Sequence, residues 1–270
     1  MQKIKGGFII LGGFFLLAAA SLLLLITTRS KASILKTDTC MSEEFRRQQL
    51  PAKLYEEIKR NSGKGEDFGD LLTASMLNGK FTPKSIQPDK SPYIRYKKEA
   101  YLFLKDCYEA IWADLIYFPI PASNITFENG WMAPREYGGE RFHEGTDLFG
   151  SVAEAGYYPV VSMTDGTVEQ IGWLPLGGYR IGIRSPHGGY FYYAHLSEYE
   201  KAFQTGEKVT AGEILGYMGN TGYGPQGTQG KFPVHLHLGI YIDSPAKEEI
   251  SVNPYWVLKA VEKKIRNYSY

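Results

Sequence analysis

The sequence predicts a mainly β domain of antiparallel sheets, preceded by a small α-helical region and an N-terminal transmembrane helix. Residues 8–26 form an uncharged apolar run, residues 42–122 show helical spacing of apolar positions, and residues 124–242 alternate short β runs with Gly-rich turns. The predicted segments are a tail at residues 1–7, an anchor at 8–28, a helical region at 29–122, a β domain at 123–250 and a C-terminal helix at 251–270.

The N-terminal apolar run is the basis of the membrane prediction. It has the sequence FIILGGFFLLAAASLLLLI, and at about 1.5 Å per residue it nearly spans a hydrocarbon core of about 30 Å. A secretory signal has a shorter apolar core of roughly 7–15 residues. We therefore expect a single-pass anchor in the cell membrane, with residues 1–7 cytoplasmic and the rest of the chain outside. The alternative is cleavage after Ser30-Lys31-Ala32, which would release a secreted form.

The helical region is predicted from a capping residue and from the spacing of its apolar residues. Ser42 can cap a helix whose first turn is acidic, and Tyr93, Phe103 and Leu115 belong to one apolar face of a longer helix. Pro119 and Pro121 mark the end of the region, because proline interrupts regular helices. The chain then enters the β domain.

Two cysteines, Cys40 and Cys107, both follow the apolar run. If this part of the chain is exported, a disulfide between them is permitted and would join the start of the helical region to a later helix. The alternative is two unrelated buried thiols. Neither cysteine has the spacing of a metal ligand.

The β domain is predicted from apolar and aromatic runs that are separated by turn sequences. The turn Thr164-Asp165-Gly166-Thr167 joins the runs 158–163 and 168–173, which predicts a hairpin. No long helical pattern interrupts residues 150–242, so we expect the sheet to be antiparallel. The formal net charge of the chain is +1, which gives no support for nucleic-acid binding. No Gly-rich loop precedes a helix, so no nucleotide is expected.

Four histidines and one aspartate of the β domain occupy positions that can converge on one site. His143 and Asp147 are four residues apart and His235 and His237 are two apart, so in an extended chain each pair shares a face. His195 ends the run FYYAH. Three ligands of His and Asp type suit Zn²⁺ with a fourth position left for water, and a further histidine can transfer protons near neutral pH.

Four segments of the β domain resemble, in order, parts of the lysostaphin/LytM-type metallopeptidases. RFHEGTDL resembles the His-x-Gly-x-Asp block of that family, and PVVSMTDGTV resembles the strand pair that follows it. YYAHLS resembles the Tyr-x-His-Leu block, and GNTGYGPQGTQGKFPVHLHLGI resembles the stretch that leads to His-Leu-His. The resemblance covers residues 129–242. It implies a lysostaphin/LytM-like fold, which is related to the barrel-sandwich hybrid.

The resemblance also implies roles for individual residues. The implied ligands of Zn²⁺ are His143, Asp147 and His237. His195 and His235 would be the catalytic pair that does not bind the metal, one helping to take a proton from a metal-activated water and the other stabilising the transition state. Tyr137 is a candidate for stabilising the oxyanion. Residues 223–232 are inserted relative to the shortest form of the family pattern, and we expect them to form a groove wall.

The function that the resemblance implies is a membrane-anchored zinc endopeptidase that hydrolyses peptide bonds in bacterial cell-wall peptidoglycan. Its expected partners are the peptide part of peptidoglycan and the membrane that holds the anchor. The alternative is a non-hydrolytic, peptidase-like envelope scaffold or an activator of other wall enzymes. Degenerate relatives of that kind lack one or more site residues, whereas all five positions are filled in this sequence. The enzyme is therefore the favoured prediction.

Overall fold

The computed structural model of the chain describes residues 4–136 and 139–269, with side chains from residue 16 onward. Its helices are α1 (Ile4–Ala32), α2 (Glu43–Arg46), α3 (Ala52–Ser62), α4 (Phe68–Asn78), α5 (Ser91–Trp112) and α6 (Pro254–Val261). Its strands are β1 (Ile125–Phe127), β2 (Pro134–Arg135), β3 (Arg141–Phe142), β4 (Thr146–Gly150), β5 (Pro159–Val161), β6 (Gly166–Leu174), β7 (Gly178–Arg184), β8 (Tyr190–Tyr199), β9 (Lys208–Val209), β10 (Ile214–Met218), β11 (Leu236–Asp243) and β12 (Glu249–Val252).

The first helix, α1, covers the segment predicted as a membrane anchor, residues 8–28. Leucines in the part with described side chains, among them Leu16 and Leu23, are exposed. Among the residues that the structure describes, no helix is both long and apolar enough to cross a membrane. The anchor therefore stays a prediction, and residues 1–3 of the predicted tail lie outside the described residues.

The helical region has an aromatic core with a capped helix and a paired indole N–H. Ser42 caps α2 as predicted, because its hydroxyl accepts a hydrogen bond from the N–H of Phe45. The rings of Tyr55 and Trp112 pack with their centroids 5.3 Å apart, and both side chains are fully buried. Trp112 Nε1 donates to Gln48 Oε1 at 2.7 Å, so the indole N–H keeps a partner away from water.

The two cysteines lie side by side as free thiols. Cys40 and Cys107 are both buried, and neither is in a disulfide. A hydrogen bond joins the two sulfur groups. The contact links a 3₁₀ turn, Thr39–Met41, to α5. The thiols are therefore reduced but not unrelated, an arrangement that neither sequence-based alternative describes.

The β domain is built on one large antiparallel sheet, which confirms the predicted fold class of this part of the chain. The strand order is β1-β4-β11-β8-β7-β6-β9, with β12 added beside β11, β10 beside β8 and β5 beside β10. A separate two-stranded sheet pairs β2 with β3. Along β11, Leu236, Leu238 and Ile240 are fully buried in the core. Because strand side chains alternate between faces, His237 points to the opposite face.

The hairpin predicted around Asp165 and Gly166 is wrong. The strand before this turn, β5, pairs with β10, whereas β6 after it pairs with β7 and β9. The chain does bend here, with Thr164 buried and Asp165 exposed, and the Ser162 hydroxyl donates to the Thr164 carbonyl at 2.6 Å. A turn sequence fixes only a local change of direction. All three β5 residues are buried, so their partner is decided by packing around them.

The helical region packs behind the sheet, on the side away from His237. Side chains of α5 and the apolar face of β11 belong to one continuous core. A Cβ at Gly189 would lie 1.9 Å from the Ala110 carbonyl oxygen, so the turn before β8 approaches α5 very closely. His187 in the same turn bonds to Asp114 through its N–H at 2.8 Å and its Nδ1 at 2.7 Å. Helices and sheet are therefore joined by core packing and by the hydrogen bonds between His187 and Asp114.

Candidate metal centre and substrate groove

The three residues predicted as metal ligands meet because β4 and β11 are neighbours. Asp147 and His237 are direct partners in the ladder between these strands. His143 follows β3, and the backbone N–H of His143 donates to the Ala133 carbonyl at 2.9 Å. Asp147 and His237, which lie 90 positions apart, are thus held by strand pairing, which gives rigid placement of their side chains.

Three donor atoms form a nearly equilateral triangle. His143 Nε2, Asp147 Oδ1 and His237 Nδ1 are each 3.0 Å from the other two. Ligands bound tetrahedrally at about 2.0–2.1 Å would be about 3.3 Å apart, so a shift of a few tenths of an ångström suffices for Zn²⁺. The donors are two imidazoles and one carboxylate, a combination found in catalytic zinc sites. The residues therefore fit a zinc ion with an open position.

Backbone groups shape the centre around these donors. A Cβ at Gly145 would lie 2.5 Å from two atoms of the His237 ring, so only glycine leaves room for the imidazole. The Nδ1 of His143 is 3.0 Å from the Gly130 carbonyl, which can only accept. That contact places the proton on Nδ1 and leaves the Nε2 lone pair free to bind a metal.

Arg135 completes the surroundings of Asp147 and was missed by the sequence interpretation. Its guanidinium donates to Asp147 Oδ2 at 3.0 Å, which leaves Oδ1 for the triangle. Such a partner orients a metal-binding carboxylate. A single arginine at the end of a short strand has no local sequence signal, so only the tertiary structure reveals this contact.

The charge state of the centre follows from burial and pairing. Burial raises the pKa of Asp147, but its contacts with the rings of His143 and His237 outweigh burial and hold this pKa far below its ordinary value. Burial lowers the pKa of His237, with Asp147 opposing the shift. The site therefore offers an anionic carboxylate and a neutral imidazole at neutral pH, the forms that bind metal.

The other two predicted site residues, His195 and His235, lie beside the triangle. Their ring centroids are 4.8 Å apart, and the His235 Nε2 is 3.7 Å from Asp147 Oδ1. His195 Nδ1 is 2.8 Å from the Thr221 carbonyl, and His235 Nδ1 is 2.8 Å from the Pro233 carbonyl. Carbonyl oxygens only accept, so both Nδ1 atoms carry protons and both Nε2 atoms keep a free lone pair.

Burial keeps both of these histidines neutral. It is the main cause that lowers the pKa of His195 to about 3, with the nearby His235 and His237 adding to the shift. Burial likewise lowers the pKa of His235. His195 also has a backbone φ of 64°, a left-handed conformation that is uncommon outside glycine and often marks a functional position.

A groove of 690 Å³ runs over the triangle and is open to solvent. Tyr223 and Phe232, the two ends of the inserted segment, line it and pack against each other with centroids 4.6 Å apart. Phe232 also packs against His195 at 4.6 Å. The two ends of the segment 223–232, which was predicted to form a groove wall, therefore line the groove. Tyr137, the candidate for oxyanion stabilisation, lies outside the described residues.

Tyrosine side chains form the floor of the groove. Tyr192 lies beside the metal centre, with its ring centroid 6.0 Å from that of His237, and Tyr190 and Tyr241 continue the surface. A Cβ at Gly177 would lie 2.2 Å from the Tyr192 hydroxyl, and a Cβ at Gly182 would lie 2.0 Å from the Tyr190 hydroxyl. Alternation along YFYYAH could have placed Tyr190 and Tyr192 on one face of β8.

This donor set at the base of a groove, with two neutral histidines beside it, defines a metallopeptidase type of site. The model of peptidase family M23 matches residues 141–254. The chain is 42% identical to a crystallised protein from Ruminococcus gnavus, provisionally assigned as a glycyl-glycine endopeptidase, lytM. The two structures superpose with a TM-score of 0.72 over 84% of this chain and 93% of that one. This chain belongs to peptidase family M23, which confirms the family predicted from the histidine motifs.

Two curated proteins are further relatives. An L-Ala–D-Glu endopeptidase of Bacillus subtilis is 44% identical over 147 residues, which are 54% of this chain and 44% of that protein. Lysostaphin of Staphylococcus simulans is 35% identical over 104 residues, 38% of this chain and 18% of that protein. The chain thus spans less than half the length of these curated relatives.

Proposed function

We propose that the chain is a zinc-dependent endopeptidase that hydrolyses peptide bonds in bacterial cell-wall peptidoglycan. The observation that supports this most directly is the triangle of donor atoms 3.0 Å apart at the base of the groove. Family membership supports the reaction class, and the relatives named as endopeptidases support the wall peptide as substrate. His143, Asp147 and His237 would hold the metal.

When bound at this site, zinc would supply a Lewis acid that polarises a carbonyl and lowers the pKa of water. The chain itself contributes proton transfer. His195 and His235 each have a protonated Nδ1 tied to a carbonyl and a free Nε2, so each can accept a proton at Nε2 and return it. The Nε2 of His235 lies next to Asp147, which places it beside the reacting groups. The tyrosine floor would hold an extended peptide across the centre.

Digestion of purified peptidoglycan tests the proposed reaction. The full chain loaded with Zn²⁺ should release peptide fragments that mass spectrometry identifies, and a chelator should stop the release because the ligands alone cannot activate water. Adding Zn²⁺ back should restore it. Unchanged wall peptides in several wall chemistries, from a chain that holds metal, would instead favour the non-hydrolytic scaffold.

We also propose that residues 8–28 anchor the chain in the cell membrane with the β domain outside. The apolar run and the exposed leucines of α1 support this location. The full chain should stay in the membrane pellet after alkaline carbonate extraction. Replacing Leu17 and Leu23 by Arg should release it, since each charge near the middle of a span costs about 2.5–3.5 kcal/mol. Recovery of the unaltered chain from the medium, without its first 32 residues, would support the cleaved form instead.

A further inference from the structure

Arg180 is a cation in the groove that has no counter-ion among the described residues. It lines the groove together with the metal-binding residues. Within the described part of the chain, no carboxylate forms an ion pair with it, and its Nε and Nη1 are buried without a hydrogen-bond partner. Its Nη2 has one long contact, 3.4 Å to Gln170 Oε1. Arg180 is half-buried, and a half-buried charge is normally paired, so the guanidinium, whose Nη2 has only the long contact, can take an anionic partner from the groove.

Arg184 shows what a paired arginine looks like on the same strand. It lies four residues further along β7 and therefore on the same face as Arg180. Its guanidinium bonds to Glu169 at 2.5 and 2.6 Å and to Glu249 at 2.6 Å. Two carboxylates thus neutralise Arg184. Among the described residues, the lack of an acidic partner is therefore specific to Arg180 and is not a general feature of arginines on β7.

The strand order places Arg180 close to the metal centre. On β11, His237 is the direct partner of Ala194 on β8, and Arg180 on β7 faces the irregularity of β8 near Ala194. Neighbouring strands are about 4.8 Å apart, so the backbones of His237 and Arg180 are separated by about 10 Å across the sheet. An extended peptide covers this distance with about three residues.

The tyrosine floor gives an ion pair at Arg180 a favourable environment. Tyr190 and Tyr192 lean over Gly182 and Gly177, the glycines that flank Arg180 along the chain. The Nε and Nη1 of Arg180 are themselves shielded from water. Coulombic attraction is stronger where water is excluded, and a guanidinium matches a carboxylate with two parallel hydrogen bonds.

We propose that Arg180 binds a substrate carboxylate within about three residues of the scissile bond, so that the groove selects acidic wall peptides over neutral ones. This inference rests on the proposed function, because it takes the groove as the peptide site. Arg180 would select the substrate, and the donor triangle with His195 and His235 would carry out the cleavage.

The test compares one peptidoglycan preparation before and after carbodiimide-catalysed amidation of its free carboxyl groups. The full zinc-loaded chain should digest the acidic wall at least about tenfold faster, the usual range for a hydrogen bond to a charged group. Arg180→Gln should bring this ratio close to 1 by slowing digestion of the acidic wall only. Arg180→Lys should give an intermediate ratio, since lysine keeps the charge but lacks the paired N–H donors of a guanidinium. Arg184→Gln is the matched control and should retain the wild-type ratio.

Co-sedimentation with both walls in chelator measures the same preference without hydrolysis. The unaltered chain should bind the acidic wall more tightly, and Arg180→Gln should lose that difference. Equal preference in the unaltered chain and in Arg180→Gln, by rate or by binding, would overturn the role of Arg180. A chain that shows the binding preference but digests neither wall would instead refute the proposed function.

Discussion

Replacing His237 by Ala is expected to abolish stable zinc binding and, with it, peptidoglycan hydrolysis. The substitution leaves only His143 Nε2 and Asp147 Oδ1 of the donor triangle. Loss of even an outer-shell partner lowers metal affinity by about 10–100-fold, so loss of a ligand should exceed about 100-fold. The measurement is the zinc content of the purified full chain after dialysis against a weak chelator, by atomic mass spectrometry.

His235→Ala is the matched control for that experiment. His235 is two residues away and borders the same groove, but its Nδ1 bonds to the Pro233 carbonyl and its Nε2 lies 3.7 Å from Asp147 Oδ1. The variant should therefore keep about one zinc per chain while its hydrolysis rate falls. Circular dichroism of both variants checks that the sheet is intact. If His237→Ala keeps its zinc, or if both variants lose it equally, the assignment of the ligands is wrong.

The sequence allowed the site residues to be predicted better than the contacts that bring them together. Alternation along VHLHLGI is a local property, so the apolar and histidine faces of β11 follow from residue spacing alone. The pairing of Asp147 with His237 joins segments 90 residues apart, and no local pattern specifies which strands become neighbours. Family resemblance supplied that information for the histidines.

The wrong hairpin and the two arginines that the sequence did not reveal have the same physical cause, which is dependence on distant residues. The turn at Asp165 and Gly166 was recognised, but the partner of β5 depends on packing against β10, which begins 53 residues after β5 ends. Arg135 and Arg180 gain their roles from Asp147 and from the groove, and an isolated arginine on a strand is most often a solvated residue. Groups whose role depends on a distant partner therefore need the tertiary structure.

Replacing His195 by Asn should lower the rate of hydrolysis by about 10²–10⁴-fold with little change in zinc content. Asparagine can still donate to the Thr221 carbonyl, which now accepts from His195 Nδ1 at 2.8 Å. What the variant lacks is the free Nε2, so proton transfer is lost while the groove is kept. Because His195 is not part of the donor triangle, we expect kcat to fall and KM to change little. A variant that loses zinc as well would show that His195 is structural.

The pH dependence provides a second test of His195. Burial lowers its pKa to about 3, so the folded ring stays neutral between pH 5 and 8 and His195 contributes no acid limb near pH 6.5. An acid limb at pH 6.5 that disappears in His195→Asn would contradict this.

The stability of the chain, unlike its activity, should depend on the protonation of His195 below pH 6.5. The unfolded histidine binds a proton below about pH 6.5, whereas the folded one does so only near pH 3. The free energy of unfolding of the metal-free chain should therefore fall with acidification from pH 6.5 towards 3, and less steeply in His195→Asn, as measured by urea titration at each pH.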